Sequence, residues 1–90
     1  MRALIVVPTF NEAENIVRLV QAIHGVMPDG DVLVVDDGSP DGTARKVAAL
    51  AAADARVHLL QRSGKLGLGS AYVAGFEWGL ARDYQRFFEM

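Results

Sequence analysis

An α/β fold, a parallel sheet covered by helices on both faces, is what this sequence predicts. Three observations carry it. The runs Ala3-Leu4-Ile5-Val6-Val7 and Val32-Leu33-Val34-Val35 are apolar without interruption, as suits strands buried on both faces. Between such runs lie segments whose apolar residues recur at helical spacing. The two kinds alternate along the whole 90 residues with short connections, the order of βα units joined by right-handed crossovers.

Taken in order, the first strand covers residues 3–8 and stops at Pro8, which cannot donate to a ladder. Thr9 and Glu12 have capping-box spacing, with Asn11 as a rival cap, and open a helix over residues 12–26. Ile16, Leu19, Val20, Ile23 and Met27 form its apolar stripe, and Gly25 with Pro28-Asp29-Gly30 ends it. The second strand, Val32–Val35, runs into Asp36-Asp37 and a turn cluster, Gly38-Ser39-Pro40-Asp41-Gly42. Ser39 or Asp41 is placed to cap a helix over 42–53, with Ala44, Val47, Ala48 and Ala51 inward. A third strand covers 56–61. A glycine-rich loop over 62–69 leads to a helix over 71–82, capped by Ser70, with Tyr72, Val73, Phe76 and Leu80 inward. Arg86-Phe87-Phe88-Glu89 opens a fourth strand, and the sequence reads as cut in mid-architecture after it.

Composition narrows the class. An apolar share of 51% and a charged share of 22% are globular. The net charge of −2 shows no basic excess of the kind nucleic acid attracts. Residues 1–44 carry seven acids and two bases, residues 45–90 four acids and seven bases, so −5 and +3. A cleft between the halves could set carboxylates against cations; two solvated faces explain the same numbers. No cysteine is present, which excludes disulfides and thiol chemistry and fits a reducing compartment. No signal peptide is visible, and no apolar run approaches the roughly 20 residues of a membrane helix.

In open parallel sheets, ligand sites form at the carboxyl ends of strands. Here that edge gathers Pro8, Thr9, Phe10, Asn11 and Glu12 from the first loop and Asp36, Asp37, Ser39 and Asp41 from the second. Arg62, Lys65 and three glycines come from the third. A ring, several carboxylates and two cations suit a nucleotide: the base beside Phe10, phosphates near Lys65 or Arg62 and the glycine N–H groups. Bland readings compete. Glu12 at capping spacing and Asp41 before a helix have ordinary structural uses, and Lys65 can be a solvated cation. Asp36 and Asp37 are adjacent like charges, strand alternation could turn one of them toward the helices, and at least one is expected to serve a ligand. His24 and His58 stand without a second ligand at metal spacing; Tyr72 and Trp78 suit packing.

Two phosphate fingerprints fit poorly. Gly67-Leu68-Gly69-Ser70-Ala71-Tyr72 puts tyrosine at the last position of a dinucleotide motif and follows the third strand, not the first. No Gly-x-x-x-x-Gly-Lys-Ser/Thr occurs. A phosphoacceptor receiver domain would place its acidic pair after the first strand, which here ends in proline.

Together, Val7-Pro8-Thr9-Phe10-Asn11-Glu12, Val34–Thr43 and Gly64-Lys65-Leu66-Gly67-Leu68-Gly69-Ser70-Ala71-Tyr72 resemble glycosyltransferase family 2. The Ser-Pro-Asp-Gly-Thr and Gly-Lys-x-Gly-Leu-Gly forms resemble its polyprenol-phosphate (dolichol-phosphate) mannosyltransferase branch. The resemblance covers essentially the whole chain. It implies the N-terminal Rossmann-like half of a GT-A fold, residues 1–90 forming the nucleotide-sugar-binding part of the catalytic domain. It implies GDP-mannose as donor and a polyprenyl phosphate as acceptor, with inversion at the anomeric carbon; the alternatives are a family 2 enzyme with another donor or acceptor, such as a UDP-sugar, or a non-catalytic nucleotide-binding fragment. Pro8, Phe10 and Glu12 would line the base and ribose pocket, and Val35 with one or both of Asp36 and Asp37 would contact the nucleotide. Lys65, with Arg62, would lie near the phosphates. Phe10 stands where the branch often has tyrosine, so ring packing remains without a hydroxyl. The family's Mg²⁺ or Mn²⁺ ligands, an Asp-x-Asp motif, are expected beyond Met90, with no catalytic or metal residue in this chain. The 90 residues alone are then expected to be inactive. The expected location is cytoplasmic, at the cytoplasmic face of a membrane for the full-length protein.

Overall fold

The computed structural model describes residues 2–63 and 67–90. Strands and helices alternate as β1 (Ala3–Thr9), α1 (Ile16–Val26), β2 (Asp31–Asp36), α2 (Thr43–Ala53), β3 (Val57–Gln61), α3 (Leu68–Leu80) and β4 (Arg86–Glu89). All pairings are parallel, in the order β3-β2-β1-β4. The unbroken apolar runs are the two central strands, and their side chains alternate between two cores. Ile5, Val7, Val32 and Val34 pack under α1 and α2 against Ile16, Val20, Ile23 and Val47. Leu4, Val6, Leu33 and Val35 pack with Ala71 and Tyr84 on the α3 side. Helices therefore cover both faces, as expected.

Several local expectations give way to tertiary contacts. β1 runs through Pro8 to Thr9, with Pro8 opposite Val35. The Thr9 carbonyl accepts the Asp37 N–H, so Thr9 points to β2 and Pro8 points away from it. On that side the Met90 N–H donates to the Val6 carbonyl, and the Met90 carbonyl, which Pro8 cannot serve, accepts the Tyr72 hydroxyl at 3.0 Å. α1 begins at Ile16 rather than residue 12, and the Thr9–Glu12 capping box does not form. The Thr9 hydroxyl donates to Asp36 instead, at 2.7 Å. Leu19, expected inward, is 37% exposed. On α2, Val47 is buried but Ala48 is exposed.

The largest revision is α3. It starts at Leu68, inside the expected loop, and Val73 and Leu80 point outward. Its buried line is Ala71, Gly75 and Gly79, at i, i+4 spacing. A Cβ on Gly75 would lie 2.5 Å from Val6 Cγ1, and one on Gly79 would lie 2.5 Å from Phe87 Cε1. Small residues bring this helix close to the sheet, while Tyr72 and Phe76 pack at its flanks. Hydrophobic periodicity weighs large side chains and passes over glycine, so it found the flanking Tyr72 and Phe76 but not the central line, and wrongly turned Val73 and Leu80 inward.

At the amino-terminal edge of the sheet, buried Tyr84 donates its hydroxyl to Asp31. His58 Nε2 lies 3.0 Å from the same carboxylate, and the His58 ring packs on Trp78 at 5.1 Å. Burial, then the Asp31 carboxylate, push the Tyr84 hydroxyl up to about 12. These rings lie far from the loops of the opposite edge. Among the described residues, no helix is long and apolar enough to cross a membrane.

Candidate functional site

Because the strands are parallel, β1, β2 and β3 deliver their carboxyl ends to one edge. The β2 end divides Asp36 from Asp37 by simple alternation. Asp36 turns to the α1/α2 side and is 1% exposed. It accepts hydrogen bonds from the Thr9 hydroxyl (2.7 Å), the Ser39 N–H (3.0 Å) and the Ser39 hydroxyl (2.6 Å). It is an internal brace between the first and second loops.

The second loop then folds back over the first. Gly38 (φ 71°) and Gly42 (φ 91°) hold left-handed conformations that other residues disfavour. With the chain so turned, Ser39 Oγ accepts the Asn11 N–H (2.8 Å) and Thr43 Oγ1 the Glu12 N–H (3.0 Å). Asp41 Oδ2 accepts the Ala13 N–H (3.0 Å). Three successive peptide donors ahead of α1 are thus satisfied from about 30 residues away. Lys46 adds a bond from its ammonium to the Ala13 carbonyl at 2.8 Å. The Thr43 hydroxyl, joined by the N–H groups of Ala13 and Thr43, holds the Asp41 carboxyl below its ordinary value.

Asp37 turns to the α3 side, where Arg62 Nε (2.8 Å) and Nη2 (3.0 Å) donate to its two oxygens. The pair is nearly buried, with side chains 8% and 11% exposed. This fork geometry is the strong form of an arginine–carboxylate pair, and the Asp37 bonds raise the Arg62 pKa. Arg62 also donates from Nη1 to Ser70 Oγ at 2.7 Å and from Nη2 to the Gly67 carbonyl at 3.4 Å. One guanidinium therefore joins the ends of β2 and β3 to the start of α3.

Beside Asp37, the residues Pro8, Thr9, Phe10, Gly67 and Leu68 complete a pocket of about 110 Å³. That is well below the ~300–1,000 Å³ of a whole small-molecule site, so it suits one part of a ligand. Among the described residues, the side chains of its walls are apolar apart from Thr9 and the carboxylate. A flat ring with N–H donors on one edge matches that combination. A more open cleft of about 420 Å³ lies across the ends of β2 and β3, lined by Asp36, Ser39, Gln61, Arg62 and others.

The structure therefore sorts the predicted site residues. Pro8, Phe10 and Asp37 meet in the pocket. Glu12 sits exposed in the adjoining loop. The Val35 side chain is fully buried beneath α3, which leaves only its main chain to meet a ligand. Asp36 is enclosed by Thr9 and Ser39, and Arg62 is paired to Asp37 rather than standing as an open phosphate contact. Lys65 lies outside the described residues. Sequence reasoning missed the reach of Ser39, Asp41 and Thr43 onto the first loop. It also missed Ser70, which receives Arg62 rather than capping α3. Their residue types signalled capping, but the partners are distant in sequence.

Among the described residues, no three histidine, aspartate or glutamate side chains gather as a metal would need. Asp36 and Asp37 are both committed to other groups. The described residues do not form a divalent-cation centre.

The family model for glycosyl transferase family 2 matches residues 4–82, and the chain belongs to that family. It is 51% identical over 90 residues to the polyprenol monophosphomannose synthase of Mycolicibacterium smegmatis, covering 99% of this chain and 34% of that protein. It is 49% identical over 90 residues to the undecaprenyl-phosphate mannosyltransferase of Micrococcus luteus, covering 100% of this chain and 37% of that protein. The chain thus spans about a third of the length of these curated relatives. Among solved structures it resembles a mannosyltransferase from Pyrobaculum calidifontis in complex with GDP-Man and Mn²⁺. The TM-score is 0.74 at 27% identity, over 86% of this chain and 24% of that one. That likeness bears out the expected fold class, the Rossmann-like part of a GT-A glycosyltransferase.

Proposed function

We propose that the protein carrying this chain transfers mannose from GDP-mannose to a polyprenyl phosphate, and that residues 1–90 form its nucleotide-sugar-binding part. The observation that carries the reading is the pocket of Pro8, Phe10 and Asp37 at the carboxyl ends of the central strands. The names of the relatives supply the sugar and the lipid class.

In this reading, Phe10 and Pro8 pack against the base, and Asp37 accepts hydrogen bonds from its N–H edge. Glu12 faces the ribose, and a carboxylate there accepts from a sugar hydroxyl. The clamp of Ser39, Asp41 and Thr43 holds the Phe10–Glu12 segment in place, so less ordering is left for the bound state. Transfer itself is direct: an oxygen of the lipid phosphate bonds to the anomeric carbon as its bond to the GDP oxygen breaks, with inversion. A divalent ion, Mg²⁺ or Mn²⁺, would stabilise the leaving diphosphate. The described residues form no centre for that ion. The 90 residues alone would bind nucleotide without transferring sugar. The acceptor is a membrane lipid, so the full-length protein would work at the cytoplasmic face of a membrane.

Calorimetric titration of the full-length protein with GDP, UDP and GDP-mannose, with Mn²⁺ present, tests the donor. Tighter binding of GDP than UDP is expected. A preference for UDP moves the donor to another sugar nucleotide, and no binding by folded protein sinks the reading. Transfer of labelled mannose to polyprenyl phosphate tests the acceptor.

A further inference from the structure

We propose that Arg62 is a positioning residue for base recognition. By holding Asp37 with two N–H bonds and anchoring to Ser70 on α3, it aims that carboxylate at the paired N–H donors of guanine. The inference rests on the donor reading above and deepens it.

The geometry points this way on three counts. First, among the described residues Asp37 is the charged side chain lining the small pocket, and the described walls otherwise offer apolar surface from Pro8, Phe10 and Leu68. A carboxylate only accepts, so the group it meets must donate. Guanine offers N1–H and its exocyclic amino group side by side; hypoxanthine keeps N1–H and lacks the amino group. Second, a carboxylate on a short side chain can rotate about its last torsion, and two-point attachment removes that freedom. Arg62 Nε and Nη2 each take one oxygen, at 2.8 and 3.0 Å, which sets the plane of the carboxylate. Third, Arg62 is itself held: Nη1 donates to Ser70 Oγ at 2.7 Å and Nη2 to the Gly67 carbonyl at 3.4 Å. Gly67 also lines the pocket. The guanidinium thus places the recognising carboxylate and one wall together. An arginine serving only as a phosphate contact would need its donors turned to the open edge, and here at least three are used internally.

Lysine keeps the charge at this position and loses the fork, so Arg62→Lys separates aim from charge. The readout is the ratio of GDP to IDP affinity, measured by calorimetry on the full-length protein with Mn²⁺. Wild type is expected to prefer GDP. Arg62→Lys is expected to lower the GDP affinity about 10-fold and to leave that of IDP nearly unchanged, so the ratio falls toward one. Michaelis constants for GDP-mannose should rise while kcat changes little. Ser70→Ala removes one anchor at an exposed position and keeps the Asp37–Arg62 bonds. It is expected to lower the ratio about 2-fold without loss of folding.

Loss of GDP and IDP affinity by equal factors in a folded Arg62→Lys protein would mark a phosphate contact and overturn the proposal. So would a wild-type ratio in that variant, or in Ser70→Ala if Arg62→Lys does not fold. Wild-type protein that binds neither GDP nor IDP overturns the donor reading, and the Arg62 proposal with it.

Discussion

Asp36 and Asp37 are neighbours in sequence and the two faces of the sheet put them to different uses. On the α1/α2 face, Asp36 is enclosed and accepts from Thr9 and Ser39. On the α3 face, Asp37 lines a pocket and is held by an arginine from the next strand. Both are buried and both are satisfied, so burial alone does not tell structural acid from binding acid. The partners tell them apart. Asp36 is bonded by the loops it joins and borders the more open cleft, whereas Asp37 is held by the Arg62 fork and lines the smaller pocket beside Pro8 and Phe10.

The contrast can be broken by mutation. Asp36→Ala leaves the Ser39 N–H and the Thr9 hydroxyl without their buried acceptor. About 3 kcal/mol of stability should be lost, read from urea unfolding midpoints. Asp37→Asn keeps the shape and one acceptor. It should weaken GDP binding about 10-fold, with a stability loss smaller than that of Asp36→Ala. The reverse ranking in either measurement would reassign the two acids.

The close seat of α3 should matter less, but measurably. Gly75→Ala gains about 1 kcal/mol of helix propensity and forces a methyl against Val6, which typically costs 1–3 kcal/mol; a net loss of about 1 kcal/mol is expected. Val73→Ala, on the exposed side of the same helix, should change stability by less than about 0.5 kcal/mol. Equal effects would mean that α3 packs by another face.

The smallest expected effect is a pH dependence. Asp41 titrates below its ordinary value in the folded protein, chiefly because of the Thr43 hydroxyl. A depressed folded pKa means that the unfolded chain binds the proton more readily. The stabilisation is then complete above about pH 4 and lost as pH falls through the folded value. The difference in urea midpoint between wild type and Asp41→Asn should therefore narrow below pH 4. A constant difference down to pH 2.5 would detach Asp41 from the clamp on the first loop.

Much of this was legible in the residues. The order of elements and the parallel class followed from apolar run length and alternation. Pro8, Phe10 and Asp37 could be placed at one edge because strands deliver their ends there in any parallel sheet. What escaped the residues were the pairings across that edge. Thr9 and Glu12 fit a local capping box, yet each bonds to the second loop. Arg62 reads as an open cation, yet it lies against Asp37.

By itself the sequence determined the βα order, the central strands and which residue types reach the carboxyl edge. Those depend on local periodicity and on strand alternation, which are properties of the chain alone. Only the tertiary structure decided which face of α3 is buried, that the second loop clamps the first, and that Asp36 braces while Asp37 faces a pocket. Each of those turns on contacts between residues far apart in the chain. Close packing against Val6 and Phe87, and the demand of buried donors and acceptors for partners, select among arrangements that local pattern leaves equal.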